Sequence, residues 1–397
     1  MVRLRKRTYQ QNPWVPARII TFAGPYALLV AGYHGCLLII TFLLRAGRYA
    51  SALLGLAMLA VVSATAQTFA QGADVGWLQQ MEATGYTFYN EQGQPQACFT
   101  ILKAHGINAI RLRVFVNPSD HKTDGHCSSA EVATMAKRAA GLGFRVMIDF
   151  HYSDTWADPG KQAKPAAWAS HPFPQLLRDV YDHTLRTMQA LKATGVTPEW
   201  VQVGNEIPSG MLWPEGSTQN PAQLAQLITQ GYRAVKAVSP TSKVVVHLDR
   251  GNDNALYRTF FDTLTQHGGR FDVIGMSYYP YWLKQNYTAS IADLRANLLD
   301  MVARYPGKEV VVAEVGGDYT AVQNTYDLLL ATQQAVQAVP QGKGLGVFYW
   351  EPEGAKRWSG YQLNAWGDDG RPSPDLRAFR DTPAPATAPA KSAKHLK

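Results

Sequence analysis

Between residues 67 and 381 short apolar runs alternate with amphipathic stretches, eight of each. The apolar runs, at 72–77, 109–115, 145–150, 200–205, 243–248, 273–277, 310–314 and 346–350, are rich in Val and Ile and bounded by Gly, Asn or Pro. Strands so uniformly apolar are covered on both faces, as in parallel sheets packed under helices. Helical spacing is found between them, for example over 130–142, 175–194, 221–238, 256–267, 291–305 and 326–339. Eight strand–helix units in about 315 residues predict an α/β fold, a single (β/α)8 TIM barrel. A doubly wound open sheet would want a Gly-rich phosphate turn after an early strand, and the sequence has none.

Two of the predicted strands end in a glutamate, Glu206 and Glu314, 108 positions apart. Period-two alternation places Gln202, Gly204 and Glu206 on one face, and Val310, Val312 and Glu314 on one face, so both carboxylates are expected in the barrel mouth. Glu199 and Glu309 stand at the opposite strand ends, where a barrel keeps residues that serve stability. Other polar and aromatic residues crowd the C-terminal strand ends: Arg111 and Arg113, Asp149, His151 and Asp154, His247, Asp249 and Arg250, Tyr278 to Trp282, and Tyr349 to Glu351. Trp156, Trp168, Trp213, Trp282, Trp350 and Trp358 fall in the same loops. A single such ring is more often loop packing, but as a group on one rim they suit the apolar faces of sugars.

A barrel implies no chemistry by itself. A Schiff-base enzyme needs a desolvated lysine at a C-terminal strand end, whereas Lys243 and Lys308 lie at strand starts. A metal-dependent hydrolase would draw on His151, His247 and Asp149 or Asp249, yet there is no His-x-His on the first strand, and His247 equally suits an orienting hydrogen bond. No metal is expected. A sugar-binding barrel without activity would lack one of the two carboxylates. A retaining glycosidase needs one protonated acid and one ionised nucleophile, which Glu206 and Glu314 supply without a cofactor. For Arg111 and Arg113 a structural ion pair inside the barrel is the plain alternative, with only one of them expected to face inward. Asp149 and Asp154 are expected to tie down loops.

Composition matters once the chain is divided. Seven of its 38 basic residues and none of its 30 acidic residues lie in the first 66 positions, which leaves 31 basic against 30 acidic beyond them. That body is near neutral, and no nucleic-acid partner is expected. The leader holds two apolar segments. The second, after Arg45 and Arg48, reads as a secretory signal peptide ending in Ala64-Thr-Ala66, with cleavage before Gln67 or near Ala70. The first, 19–44, is either a membrane helix or the product of an upstream mis-start, and the second reading is preferred. A secreted or periplasmic monomer is expected. Residues 382–397, rich in Pro and Ala, are expected to be a disordered tail. Cys98 and Cys127 are the cysteines left after cleavage, an even count in an exported chain, so a disulfide is expected and two buried free thiols are the alternative.

The stretches Asp149-Phe-His-Tyr-Ser-Asp-Thr-Trp-Ala-Asp-Pro-Gly-Lys-Gln162, Val201-Gln-Val-Gly-Asn-Glu-Ile207 with Gly210-Met-Leu-Trp-Pro214, His247-Leu-Asp-Arg-Gly251 and Asp272-Val-Ile-Gly-Met-Ser-Tyr-Tyr-Pro-Tyr-Trp282 resemble those of glycoside hydrolase family 53, the endo-β-1,4-galactanases. The resemblance covers nearly all of 67–381. It implies that Glu206 is the acid/base, Glu314 the nucleophile and Asn205 the partner of the substrate 2-hydroxyl. It also implies that Arg111 and Tyr279 orient the nucleophile and that Trp350 forms the floor of the site, with His151, His247, Asp249 and Trp282 lining the substrate groove. The implied substrate is β-1,4-galactan of pectic arabinogalactan type I; a retaining barrel enzyme for another β-glycan, mannan or glucan, is the alternative. Three positions depart from the family pattern: Phe115 where Trp is usual, Gly76 where Ser is common, and Val315 after the nucleophile. Some bacterial members carry a calcium loop, but Asp318, Asp368 and Asp369 are too scattered to assign one.

Overall fold

The computed structural model describes residues 68–382. Eight parallel strands close into a barrel in chain order: β1 (Ala70–Asp74), β2 (Ala109–Val114), β3 (Arg145–Phe150), β4 (Trp200–Val203), β5 (Lys243–Leu248), β6 (Val273–Tyr278), β7 (Glu309–Val315) and β8 (Gly344–Trp350). The helices α1 (Leu78–Ala83), α2 (Cys98–Ala104), α3 (Ser129–Gly141), α4 (Phe173–Ala193), α5 (Pro221–Val238), α6 (Asn254–Gln266), α7 (Ile291–Arg304) and α8 (Val322–Gln337) connect them. This is the expected TIM barrel. The predicted leader with its signal peptide and the predicted tail lie outside the described residues, apart from the tail's first position. No helix among the described residues is long and apolar enough to cross a membrane.

Local chemistry starts the helices where the sequence suggests. Ser128 opens α3 with a capping box: the Glu131 backbone N–H donates to the Ser128 hydroxyl at 3.3 Å, and the Glu131 carboxylate accepts from the Ser128 backbone at 2.8 Å. Pro221 occupies the first turn of α5, where its missing N–H leaves no bond unmade. Asp253 caps α6 by accepting from Leu256 N at 3.1 Å.

Alternation sorts the strands into two layers. Ala109, Met147, Trp200, Val245, Val273, Val311 and Phe348 fill the barrel interior, while Ile110, Val146, Ile148, Val201, Val244, Ile274 and Val310 join the larger core under the helices. Trp200 meets Phe348 edge to face at 6.0 Å between centroids and plugs the lower barrel. Gly72 is required opposite this plug, because a Cβ there would come within 2.1 Å of the Phe348 ring. Beneath it the Arg145 guanidinium lies 4.4 Å from the Trp200 centroid and grips Glu199 with two bonds of 2.6 and 2.7 Å. Lys243 pairs with Glu309 at 2.7 Å. Glu199 and Glu309 therefore close the N-terminal end, as expected.

Three expectations are corrected. Arg111 and Arg113 are two positions apart on one strand, so both face inward, and both are fully buried. Strict alternation on β7 would send Glu314 outward with Val310 and Val312, which belong to the core under the helices. Instead β7 carries a bulge: Met276 pairs with Val312 but the next residue, Ser277, pairs with Glu314, so the extra residue Ala313 turns Glu314 inward. The disulfide is not formed. Cys98 opens α2 within the core, whereas the Cys127 thiol donates to the Gly76 carbonyl at 3.3 Å, and burial pushes both thiols up and keeps them protonated.

Candidate active site

The C-terminal end of the barrel opens into a cleft of about 630 Å³, within the range of small-molecule sites. Glu206 and Glu314 both line it, with Asn205, Asp249, Tyr279, Trp282 and Trp350. Glu206 is delivered by a turn beyond β4, where Gly204 at φ 86° and Glu206 itself at φ 43° adopt the left-handed conformation. For a glutamate that backbone is strained, a state that persists where surrounding contacts hold it. Gln162 contributes by donating to the carbonyls of Asn205 and Glu206 at 2.9 and 3.2 Å.

The two glutamates differ in what surrounds them. Glu314 meets the Arg111 guanidinium at 2.9 Å and accepts from the Tyr279 hydroxyl at 3.2 Å. No described cation lies within ion-pair distance of Glu206, and burial, assisted by Asp249, pushes its pKa up to about 7. Burial also raises Glu314, and the neighbouring Glu206 carboxyl raises it further. The negative charge of the pair rests on Glu314, because a contacting guanidinium and a donated hydroxyl favour the ionised form there. The proton rests on Glu206.

Arg111 is the centre of this arrangement. It pairs with Asp74 at 2.6 Å and Asp149 at 2.9 Å as well as with Glu314, and donates to Gln202 and Asn205 at 3.0 and 3.1 Å. Arg113 pairs with Glu351 and lies 4.3 Å from the Trp156 centroid. Burial pushes Glu351 up to about 7, and pushes Glu353, which the Glu351 charge raises further, well above the usual range. The mouth thus holds more carboxyls than cations, which favours keeping a proton on the member without a cationic contact.

The other expected residues divide into two sets. Asp249, Tyr279, Trp350 and Trp282 reach the cleft, and Trp282 is 60% exposed on its rim. Arg111, His151 and His247 do not touch it: they are buried behind its wall and act through their neighbours. His151 Nε2 lies 3.0 Å from Asp149, and its Nδ1 accepts from Ala157 N at 3.0 Å. His247 contacts Ser277, Gln202 and Asn205. Asp149 is corrected from loop anchor to ligand of Arg111; burial raises its pKa, but Arg111 and His151 outweigh that and hold it below the ordinary value. Asp154 does tie down loops, accepting from Asn117 N and Ala166 N at 2.9 and 2.8 Å.

Sequence reasoning missed Asp74, Ser277 and Tyr361, and named Glu351 only as one of the residues at the end of β8. Asp74 had a signal, since it follows Ala70 and Gly72 on the inward row of β1; Ser277 had none, because a lone serine before tyrosines is uninformative. Tyr361 packs on Trp350 at 4.8 Å, and Trp77 and Trp156 meet Trp350 edge to face at 5.4 and 5.6 Å, so the floor of the cleft is a rigid aromatic cluster. The departures from the family pattern fit locally. A Cβ on Gly76 would come 2.0 Å from Arg113 Nη1, and Phe115 sets its ring against His151 and Trp156 at 5.2 and 5.7 Å. No group of three or more His, Cys, Asp or Glu among the described residues could hold a metal ion.

Residues 70–370 match the family Glycosyl hydrolase family 53. The chain belongs to that family. It is 35% identical to a probable arabinogalactan endo-beta-1,4-galactanase A of Aspergillus terreus over 316 residues, 74% of this chain and 88% of that one. With an arabinogalactan endo-beta-1,4-galactanase of Thermothelomyces thermophilus it shares 33% identity over 304 residues, 71% of this chain and 89% of that one. The solved Ignisphaera aggregans GH53 catalytic domain superposes with a TM-score of 0.74 at 32% identity, covering 80% of this chain and 97% of that one. The protein is a glycoside hydrolase, and the expected resemblance holds.

Proposed function

We propose that this hydrolase cleaves internal β-1,4 bonds of galactan with retention of anomeric configuration, with Glu314 as nucleophile and Glu206 as acid/base. The observation that carries the mechanism is the unequal environment of the two carboxyls in one cleft: Arg111 and Tyr279 on Glu314, no contacting cation and a pKa of about 7 on Glu206. In the first step a Glu314 oxygen bonds to the anomeric carbon, the bond to the leaving oxygen breaks, and that oxygen takes the Glu206 proton. In the second, Glu206 removes a proton from water, the water oxygen bonds to the anomeric carbon, and Glu314 leaves as carboxylate. Asn205, whose amide donates to the Ala157 carbonyl at 2.9 Å, is held at the cleft wall, where it serves a sugar hydroxyl. Trp350 supplies a ring face under the reacting sugar and Trp282 one further out, with Asp249 as a hydroxyl partner.

The galactanase relatives support galactan as the substrate. The basic leader followed by an apolar stretch and Ala64-Thr-Ala66 supports export, and a cleft assembled within one chain supports action as a monomer. Reducing ends released from linear β-1,4-galactan, β-mannan and carboxymethylcellulose test the specificity. Release from galactan alone is expected, and faster release from either of the others would overturn it.

A further inference from the structure

The two peptide units that flank Glu206 are each held at both ends. In the unit before it, the Asn205 carbonyl accepts from Gln162 Nε2 at 2.9 Å and the Glu206 N–H donates to His247 Nδ1 at 3.4 Å. In the unit after it, the Glu206 carbonyl accepts from Gln162 Nε2 at 3.2 Å and the Ile207 N–H donates to the His247 carbonyl at 3.0 Å. Gln162 thus holds both carbonyls and His247 both N–H groups. Rotation about φ or ψ of Glu206 would turn one unit against the other and break its bonds, so together they hold the left-handed backbone, φ 43°, that is strained for a glutamate. Gln162 is 2% exposed, and its Nε2 also donates to the Asp158 carbonyl at 3.0 Å. Three carbonyl oxygens around one end of the amide can be met only by its NH2, which settles the orientation of the side chain. The residue is itself pinned, because Asp158 and Lys161 exchange backbone bonds of 3.0 and 2.9 Å just before it and its own carbonyl accepts from Trp213 N at 2.8 Å.

We propose that Gln162 is a positioning residue for the acid/base, acting on the main chain of Glu206 and not on its carboxyl. This rests on the assignment of Glu206 above. The backbone sets the direction in which the Glu206 side chain leaves its Cα, and so where the carboxyl can deliver a proton. Without the Gln162 amide two carbonyls lose their donor, the left-handed conformation loses half of what holds it, and the carboxyl moves away from the leaving oxygen. The nucleophile is held separately, since Glu314 is fixed by Arg111 and Tyr279.

The test is a double-mutant cycle between Gln162 and Glu206. Gln162→Met fills similar space without donors, and Gln162→Glu keeps the shape of the amide while replacing its NH2 by an oxygen, so a loss common to both does not come from packing. Each is assayed, alone and combined with Glu206→Ala, on β-1,4-galactan and on an aryl β-galactobioside, whose phenolate leaves without a proton. For either single variant, kcat on galactan is expected to fall by about 10- to 100-fold with KM changed by less than about twofold, as for a misplaced general acid. The kcat/KM loss on the aryl substrate should be no more than about threefold, because its first step does not call on the acid. In the Glu206→Ala background the same substitutions should lower turnover of galactan by no more than about twofold, since the group they position is gone. Equal losses on both substrates, a loss on galactan that persists in full without Glu206, or no loss in either variant would overturn the role. Glu206→Ala alone, measured alongside, separates those outcomes from failure of the functional reading: equal losses on the two substrates in that variant would overturn the assignment of Glu206 itself.

Discussion

At the N-terminal end of the barrel Glu199 is gripped by Arg145, and at the C-terminal end Glu314 is held by Arg111. Both contacts join an arginine to a glutamate at a strand end, at 2.6 and 2.9 Å. Burial separates them: the lower pair is 21% and 31% exposed, the upper 0% and 7%. A solvent-screened pair contributes about 1 kcal/mol or less, whereas breaking a buried pair leaves an uncompensated charge and costs about 3–5 kcal/mol. The lower pair is reached by water, which solvates both partners when the pair is broken. The upper pair belongs to a set in which one guanidinium serves Asp74, Asp149 and Glu314, and where each carboxyl changes the charge of the next. Chemistry belongs to the second kind of environment, because proton affinities move far only where water is excluded.

The largest expected effect is that of Glu314→Ala, which should lower kcat by at least about 10⁴-fold on galactan and aryl galactoside alike, since no other carboxylate of the cleft has the same Arg and Tyr contacts. Initial rates on both substrates check this; turnover of the aryl substrate near wild type would contradict it. Glu206→Ala comes next, with about a 10²- to 10⁴-fold loss on galactan. Glycosylation by an aryl galactobioside should survive, and azide should restore turnover with a β-galactosyl azide as product. Rescue of Glu314→Ala instead, to an α-azide, would reverse the two roles.

The comparison of the two ends is sharpened by a matched pair of variants. Arg111→Ala should destabilise by about 3–5 kcal/mol in a denaturant titration, because it strands three buried carboxylates. Glu199→Gln should destabilise by less than about 1 kcal/mol and leave kcat unchanged. Similar values for the two would remove the distinction drawn from burial.

The smallest effect is on pH and stability. Glu206 acts only while protonated, so kcat/KM on galactan should fall as pH rises through about 7. Its folded pKa lies above the unfolded carboxyl value, so folding binds a proton in the window between them. The stability tied to that proton is fully present below the unfolded value and is lost as pH rises through the folded one. Glu206→Gln should therefore melt above wild type at pH 8 and show no such gain at pH 4, by calorimetry; a gain of equal size at both would refute the linkage.

Much of this was legible in the chain. The barrel followed from eight apolar runs, with β3, β5 and α5 at their expected limits, because a doubly covered strand leaves a composition that no helix shares. The two glutamates were legible as strand-end residues, but the reason Glu314 faces the mouth was not. A bulge is a backbone event without a residue signature, and alternation alone pointed Glu314 the wrong way. Arg113 was misjudged for the opposite reason, since alternation on β2 is regular and puts it beside Arg111. Arg111 was legible as a partner of the nucleophile, but His151 and His247 were placed in the substrate groove, because sequence shows which end of a strand a residue occupies and not how deep its side chain lies. Cys98 and Cys127 were paired on count alone, and count carries no distance. Ser277 left no trace, because its partner is His247, thirty positions away.

The division of labour between the two glutamates is tested most directly by trapping the glycosyl-enzyme. A 2-deoxy-2-fluoro-β-galactobiosyl donor with a good leaving group slows both steps, and hydrolysis of the intermediate more than its formation, so the adduct accumulates and can be located by peptide mass spectrometry. The account predicts one fluorogalactobiosyl group on the peptide that carries Glu314, absent from Glu314→Ala. A sugar on Glu206, or no adduct together with an inverted product, would contradict it.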